Sequence, residues 1–115
     1  MDKHNPPKID TETLKQRLDE GSIHVVEVLL PQEFKRGHIP GAIHIHFSMI
    51  GRIAAERFSK DDAIATYCHD ERCKASRIAA GKLQSLGYTE AYHYHGGKRA
   101  WTEAGYPLEA SGPYD

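Results

Sequence analysis

Apolar runs of strand length alternate with stretches of helical period along this chain, and that alternation constrains the fold more than any other feature. Ile23 to Leu30, rich in Val and Leu, reads as a buried strand, and Ala42 to Ile45, Ala63 to Tyr67 and Ala91 to Tyr94 read as shorter ones. Asp10 or Thr11 can cap a helix whose Leu14 and Leu18 share one face and which Gly21 can end. Pro31 opens a helical turn over Gln32 to Arg36, and Gly37-His38-Ile39-Pro40-Gly41 is a turn cluster. Ile50 to Phe58 predicts a helix. A further helix is predicted from Ser76 to Leu86, with Ile78, Ala79, Leu83 and Leu86 toward the core and Gly87 as its cap. Gly96-Gly97 then forms a turn, and Lys98 to Ala104 a short helix carrying Trp101. Strands alternating with helices imply an α/β fold, a mainly parallel sheet with helices on both faces.

At 115 residues the chain fits one domain, expected over 10–115 behind a flexible lead-in at 1–9, where Pro6-Pro7 blocks regular structure. Hydrophobic residues at 39% and charged residues at 27% argue against disorder. A formal net charge of −1 with no basic run argues against nucleic acid as a partner. No stretch approaches the ~20 apolar residues of a membrane span, and the polar start Met1-Asp2-Lys3-His4-Asn5 is unlike a signal peptide. The expected location is therefore the cytoplasm, with no membrane partner. There the two cysteines are expected reduced, and a structural disulfide is a poor account of them.

Cys68 ends the apolar run Ala63-Ile64-Ala65-Thr66-Tyr67 and precedes the polar stretch His69-Asp70-Glu71-Arg72-Cys73, after which a helical pattern begins. In open α/β sheets, ligands collect outside the carboxyl ends of the strands, and Cys68 is placed there by its strand. A thiolate, the nucleophilic form, is stabilised by a helix N-terminus, by several N–H donors or by nearby positive charge. The loop supplies the first two. Arg72 and Lys74 add positive charge, and Asp70 and Glu71 oppose it. From position alone, a small buried hydrophobe finishing a strand is an equally good reading of Cys68.

Four segments settle which of the two is favoured. Glu33-Phe34-Lys35-Arg36-Gly37-His38-Ile39-Pro40-Gly41-Ala42 resembles, almost letter for letter, the E-F-x-x-G-H-I-P-G-A signature of the rhodaneses, a sulfurtransferase family. Tyr67-Cys68 resembles the end of the strand that delivers that family's catalytic cysteine, and Leu86-Gly87-Tyr88 the end of the helix after it. Gly96-Gly97, Trp101 and Ala104-Gly105-Tyr106-Pro107 resemble its G-G-x-x-x-W…A-G-x-P ending. Together these span residues 23 to 108. The resemblance implies a single-domain rhodanese: an α/β, rhodanese-like, mainly parallel five-stranded sheet flanked by helices on both faces. It implies Cys68 as the catalytic nucleophile. The thiolate would take sulfane sulfur from thiosulfate, mercaptopyruvate or a persulfide and pass it to a thiophilic acceptor in a ping-pong cycle. His69, Asp70, Glu71, Arg72 and Cys73 form the substrate-binding loop in this reading, with backbone N–H groups cradling the outer sulfur. No cofactor or metal is required. The partners are small-molecule or protein sulfur donors and acceptors, and the expected state is a monomer.

The chain departs from the family pattern in two places. Where the family often shows D-V-R, it has Glu27-Val28-Leu29: the acid is longer and the arginine is lost. The stretch from Cys68 to Gly87 is also longer than usual, which implies an enlarged active-site loop or a helix that starts late. Cys73, five positions after Cys68, reads either as a resolving thiol that closes a disulfide or as a small buried residue at the helix start. His69 is placed to tune the thiolate or to point to solvent. The pairs His44/His46 and His93/His95 each share a strand face and suggest zinc, yet neither C-x₂-C nor H-x₃-H spacing occurs. His38 belongs to the turn motif, and Trp101 and Phe34 to the core or the pocket rim. A cysteine-dependent phosphatase would need an arginine six residues after the cysteine, and position 74 is Lys. The remaining alternative is a non-catalytic or redox-sensing module using Cys68 and Cys73.

Overall fold

The computed structural model describes residues 6–110. A helix α1 (Thr11–Glu20) comes first, capped by Asp10, whose Oδ1 accepts from the Thr13 amide at 2.8 Å. Gly21 closes it in the left-handed conformation at φ 72°, a geometry glycine adopts without steric cost. The chain continues through β1 (His24–Glu27), α2 (Pro31–Arg36), β2 (Ile43–His44), a 3₁₀ turn (Phe47–Met49), α3 (Ile50–Arg57) and β3 (Ala63–Tyr67). It ends with α4 (Ala75–Ser85), β4 (Glu90–His93) and α5 (Gly97–Glu103).

Every ladder is parallel, and the strand order is β2-β1-β3-β4. Among the described residues the sheet therefore has four strands, not the five expected. Beyond β4 the pairing reduces to a single bridge, Lys8 to His93, with Ile9 donating to the His93 carbonyl and His93 donating to that of Pro7. The two prolines before Lys8 lack the N–H groups that would lengthen it into a strand. Pro7 to Ile9 are thereby fixed to the sheet edge, and Ile9 is buried, which differs from the loose lead-in expected. Residues 1–5 of that lead-in lie outside the described residues.

Helices cover both faces. Ile50 and Ala54 of α3 and Ala79 and Leu83 of α4 pack with Val26, Ile64 and Cys68 on one side. On the other, Leu14 of α1 and Trp101 of α5 pack with Val25, Ala65 and Tyr67. Side chains of a strand alternate between faces, so Ile64 and Ala65 serve opposite cores. Two residues expected in the core are not there: Ile78 is 58% and Leu86 39% exposed. The apolar stripe of α4 is narrower than its sequence suggests, because the face turned to β3 and β4 is the one that Ser76, Ala79, Ala80 and Leu83 carry.

Successive strands first step from β1 to β2 on one side and then cross to β3 on the other. The switch point thus lies between β1 and β3, where a crevice opens outside the carboxyl ends. Glu27 and Tyr67 are register partners at that end, and Cys68 is the next residue.

Candidate active site

Cys68 leaves the end of β3 and is 1% exposed. Its Sγ is bonded to Sγ of Cys73, with the two Cα atoms 6.4 Å apart. The cysteines expected to be reduced are therefore joined. The cause is local: the Cys73 amide donates to the Asp70 carbonyl at 3.2 Å, so the loop turns back and brings the second sulfur over the first. The spacing lies within the range a disulfide spans. Helix α4 begins seven residues after Cys68, the late start that the long segment implied. Its Ser76 still reaches the sulfur, with Oγ 3.3 Å from Cys68 Sγ. A hydroxyl donates to a sulfur anion, so Ser76 is the side chain placed to stabilise a thiolate here.

The rest of the loop is arranged differently from the expected cradle. Asp70 accepts the Arg72 amide at 2.9 Å and pairs with the Arg72 guanidinium at 2.9 Å. Those bonds hold the Asp70 carboxyl below its ordinary range. Two of the N–H groups assigned to an anion, those of Arg72 and Cys73, are thus used inside the loop. Arg72 spends its charge on Asp70. His69 turns away from the sulfur toward Glu33, its Nε2 3.4 Å from Oε1.

The base of the loop is gripped by the start of α5. Amides of Lys98 and Arg99 donate to the carbonyls of Cys68 and His69 at 3.0 and 2.9 Å. So close an approach needs glycine before them. A Cβ on Gly97 (φ +62°) would lie 2.5 Å from the Cys68 oxygen and 2.7 Å from the His69 carbonyl carbon.

Beneath the loop lies a buried polar group. Glu27 has no exposed surface, and the Tyr67 hydroxyl donates to its Oε1 at 2.8 Å. Burial first, and Glu27 second, push the Tyr67 phenol far above its ordinary range, so it stays protonated and donating. The same hydroxyl accepts the Ile39 amide at 3.0 Å. Lys98 Nζ stands 3.1 Å from Glu27 Oε2 as an ion pair, off the direction of a hydrogen bond, and donates to the Glu33 carbonyl at 3.0 Å. The cation missing at Leu29 is therefore supplied from α5. Lys98, Ser76, Gly97 and Tyr67 were not singled out from the sequence as site residues. Gly97 and Tyr67 stand in the sequence only as members of the Gly96-Gly97 and Tyr67-Cys68 segments, and Lys98 and Ser76 carry no local signal.

The histidines fall into separate roles. His38 is buried, stacked on Phe34 with ring centroids 3.8 Å apart, and bonded through Nδ1 to the Phe34 carbonyl at 2.8 Å. His44 Nε2 donates to the Leu29 carbonyl at 2.6 Å, and His46 caps the 3₁₀ turn through Ser48. Among the described residues no group of three or more His, Cys, Asp or Glu is gathered to hold a metal, and no helix is long and apolar enough to cross a membrane.

A parallel sheet with this order, helices on both faces and a cysteine loop at the switch point define an α/β domain with its thiol where such folds place a ligand. Residues 10–104 match the Rhodanese-like domain family, and the chain belongs to that family. It is 30% identical over 104 residues to the thiosulfate sulfurtransferase GlpE of Vibrio cholerae, covering 90% of this chain and 94% of that one. The YrkF protein of Bacillus subtilis is 31% identical over 97 residues, 84% of this chain but 51% of YrkF, so the chain spans about half that relative's length. Among solved structures, the BH2092 protein of Bacillus halodurans superposes with a TM-score of 0.83 at 30% identity, over 92% of this chain and 78% of that one.

Proposed function

We propose that the chain is a sulfurtransferase working through a persulfide on Cys68. The observation that carries this reading is the placement of Cys68 Sγ: at the carboxyl end of β3, beside the sheet's switch point, with the Ser76 hydroxyl 3.3 Å away. Membership of the family and the likeness to a thiosulfate sulfurtransferase support it. The disulfide must first be reduced. The Cys68 thiolate then attacks the sulfane sulfur of a donor such as thiosulfate; the donor's S–S bond breaks and sulfite leaves with its electron pair. An acceptor such as cyanide or a thiol then takes the outer sulfur and frees the thiolate.

The chain's residues do the positioning. Lys98 and Arg99 amides fix the carbonyls of Cys68 and His69, the two that follow the sulfur's attachment, and the Ser76 hydroxyl, 3.3 Å from the sulfur, is placed to donate to its anion. The test is the intact mass of the reduced Cys73→Ser chain, which cannot close the disulfide again, after thiosulfate and separately after 3-mercaptopyruvate, beside the same chain carrying Cys68→Ser. A gain of about 32 Da that cyanide removes and the chain carrying Cys68→Ser lacks is expected. Absence of any gain in a folded, reduced protein would move the function to a redox-sensing module, the reading that the Cys68–Cys73 bond favours.

A further inference from the structure

Resting on the persulfide reading above, we propose that Cys73 is a resolving thiol that converts sulfur loading into sulfide release, making the domain a sulfane-sulfur reductase as well as a sulfur carrier. Cys73 Sγ is bonded to Cys68 Sγ itself, the atom that would be the inner sulfur of the persulfide. Its reach to that atom is therefore built into the fold and needs no rearrangement of the loop. The Asp70–Cys73 turn holds the residue from one side, and Lys74, whose carbonyl accepts the Ile78 amide at 3.0 Å as α4 begins, holds it from the other.

The reaction balances without an added oxidant. The Cys73 thiolate attacks the inner sulfur of the protonated Cys68 persulfide; a Cys73–Cys68 S–S bond forms, and the bond from Cys68 Sγ to the outer sulfur breaks. The outer sulfur leaves as hydrosulfide, keeping the bonding pair and its proton. It is reduced by two electrons, and the two cysteines are oxidised to the disulfide seen in the structure. A dithiol reductant must then reopen that bond. Attack on Cys73 is the accessible route, because Cys68 is 1% exposed and Cys73 is only partly buried. The overall conversion consumes a sulfane-sulfur donor and a dithiol and yields sulfide.

The experiment uses the full chain, reduced with a dithiol, freed of it without oxygen, and given thiosulfate. Intact mass and released sulfide are followed together, beside a sample without donor and beside Cys73→Ser and Cys73→Ala, two variants that guard against a folding fault specific to one. The native chain is expected to end about 2 Da below its reduced mass with one equivalent of sulfide released, while both variants hold a gain of about 32 Da and release none. A native chain that keeps the added sulfur as long as the variants do overturns the proposal. So does a sulfur mapped to Cys73, which would mean attack on the outer sulfur and a relay. If neither variant gains mass although both are folded, the persulfide reading itself fails and the proposal falls with it.

Discussion

Lys98 Nζ stands 3.1 Å from Glu27 Oε2 in the interior, while the amide of the same lysine holds the carbonyl of Cys68 at 3.0 Å. One residue thus neutralises the buried acid at the end of β1 and fixes the backbone from which the nucleophilic sulfur projects. The family pattern often carries an arginine two residues after the strand's acid, and here Leu29 stands there. In this chain the cation beside the acid comes from α5, and the same residue joins acid to loop.

Removing that cation leaves Glu27 buried and unpaired. Lys98→Met is expected to cost about 3–5 kcal/mol, the usual loss when one partner of a buried ion pair is deleted. The double variant Glu27→Gln/Lys98→Met should recover a substantial part, since the stranded charge is gone. Urea unfolding at neutral pH of all four members of the cycle measures the coupling. A Lys98→Met chain as stable as the native one would show that the pair contributes nothing net.

Gly97 has no room for a side chain. Its Cβ would meet the Cys68 oxygen at 2.5 Å, and its φ of +62° disfavours any other residue. Gly97→Ala should destabilise the fold by more than about 2 kcal/mol and, by pushing α5 off the loop, lower the amount of sulfur loaded in the mass assay. Gly21→Ala is the control. It shares the left-handed backbone (φ +72°), but a Cβ there meets nothing within 4 Å. If both substitutions left loading untouched, the grip of α5 on the loop would have no functional weight.

The sequence showed the scaffold more fully than the site. The run Ala63 to Tyr67 matches β3 residue for residue, because a strand buried on both faces is apolar throughout, and the cysteine after it followed directly. The strand expected from Ile23 to Leu30 shrinks to His24–Glu27, since an apolar run marks burial rather than pairing. What joins the site was hidden by distance along the chain. Lys98 lies thirty positions from Cys68, and a lysine opening a short helix carries no mark of a buried partner. Glu27 was legible as the family's acid but not as an acid without exposed surface. The Cys68–Cys73 bond is one of two readings that the five-residue spacing leaves open, and the turn that Asp70 and Cys73 close decides between them.

Acid should weaken the fold through His93. Its imidazole is buried, with its Nε2 unpartnered. Burial first, then His95, Lys8 and Arg77, lower its pKa from 6.5 to about 4. A depressed histidine means that the unfolded chain binds a proton that the folded chain refuses. Stability from this group is complete above pH 6.5 and is lost as pH falls from 6.5 toward 4. Between about pH 7.5 and pH 5 that loss is roughly 2 kcal/mol. Carboxylates also respond to acid, so the measurement is a comparison: urea unfolding of the native chain and of His93→Gln at both pH values. The native chain should lose more on acidification than the variant. Equal losses would mean that His93 titrates alike in both states.

Ser76 is the last prediction and bears most directly on reactivity. It is 1% exposed, its Oγ lies 3.3 Å from Cys68 Sγ, and its own carbonyl is tied to the Thr66 hydroxyl at 2.7 Å, so the hydroxyl is held against the sulfur by the strand beneath it. A hydrogen bond to a charged group contributes about 1.5–3 kcal/mol, which corresponds to a thiol pKa raised by about one unit or more on its loss. Ser76→Ala, made in the Cys73→Ser background so that Cys68 is a free thiol, should therefore alkylate with iodoacetamide along a pH profile displaced upward by that amount. Sulfur loading at neutral pH should slow by about tenfold if thiolate fraction limits it. An unshifted profile would remove Ser76 from the site and leave the backbone donors of the loop as the source of thiolate stability.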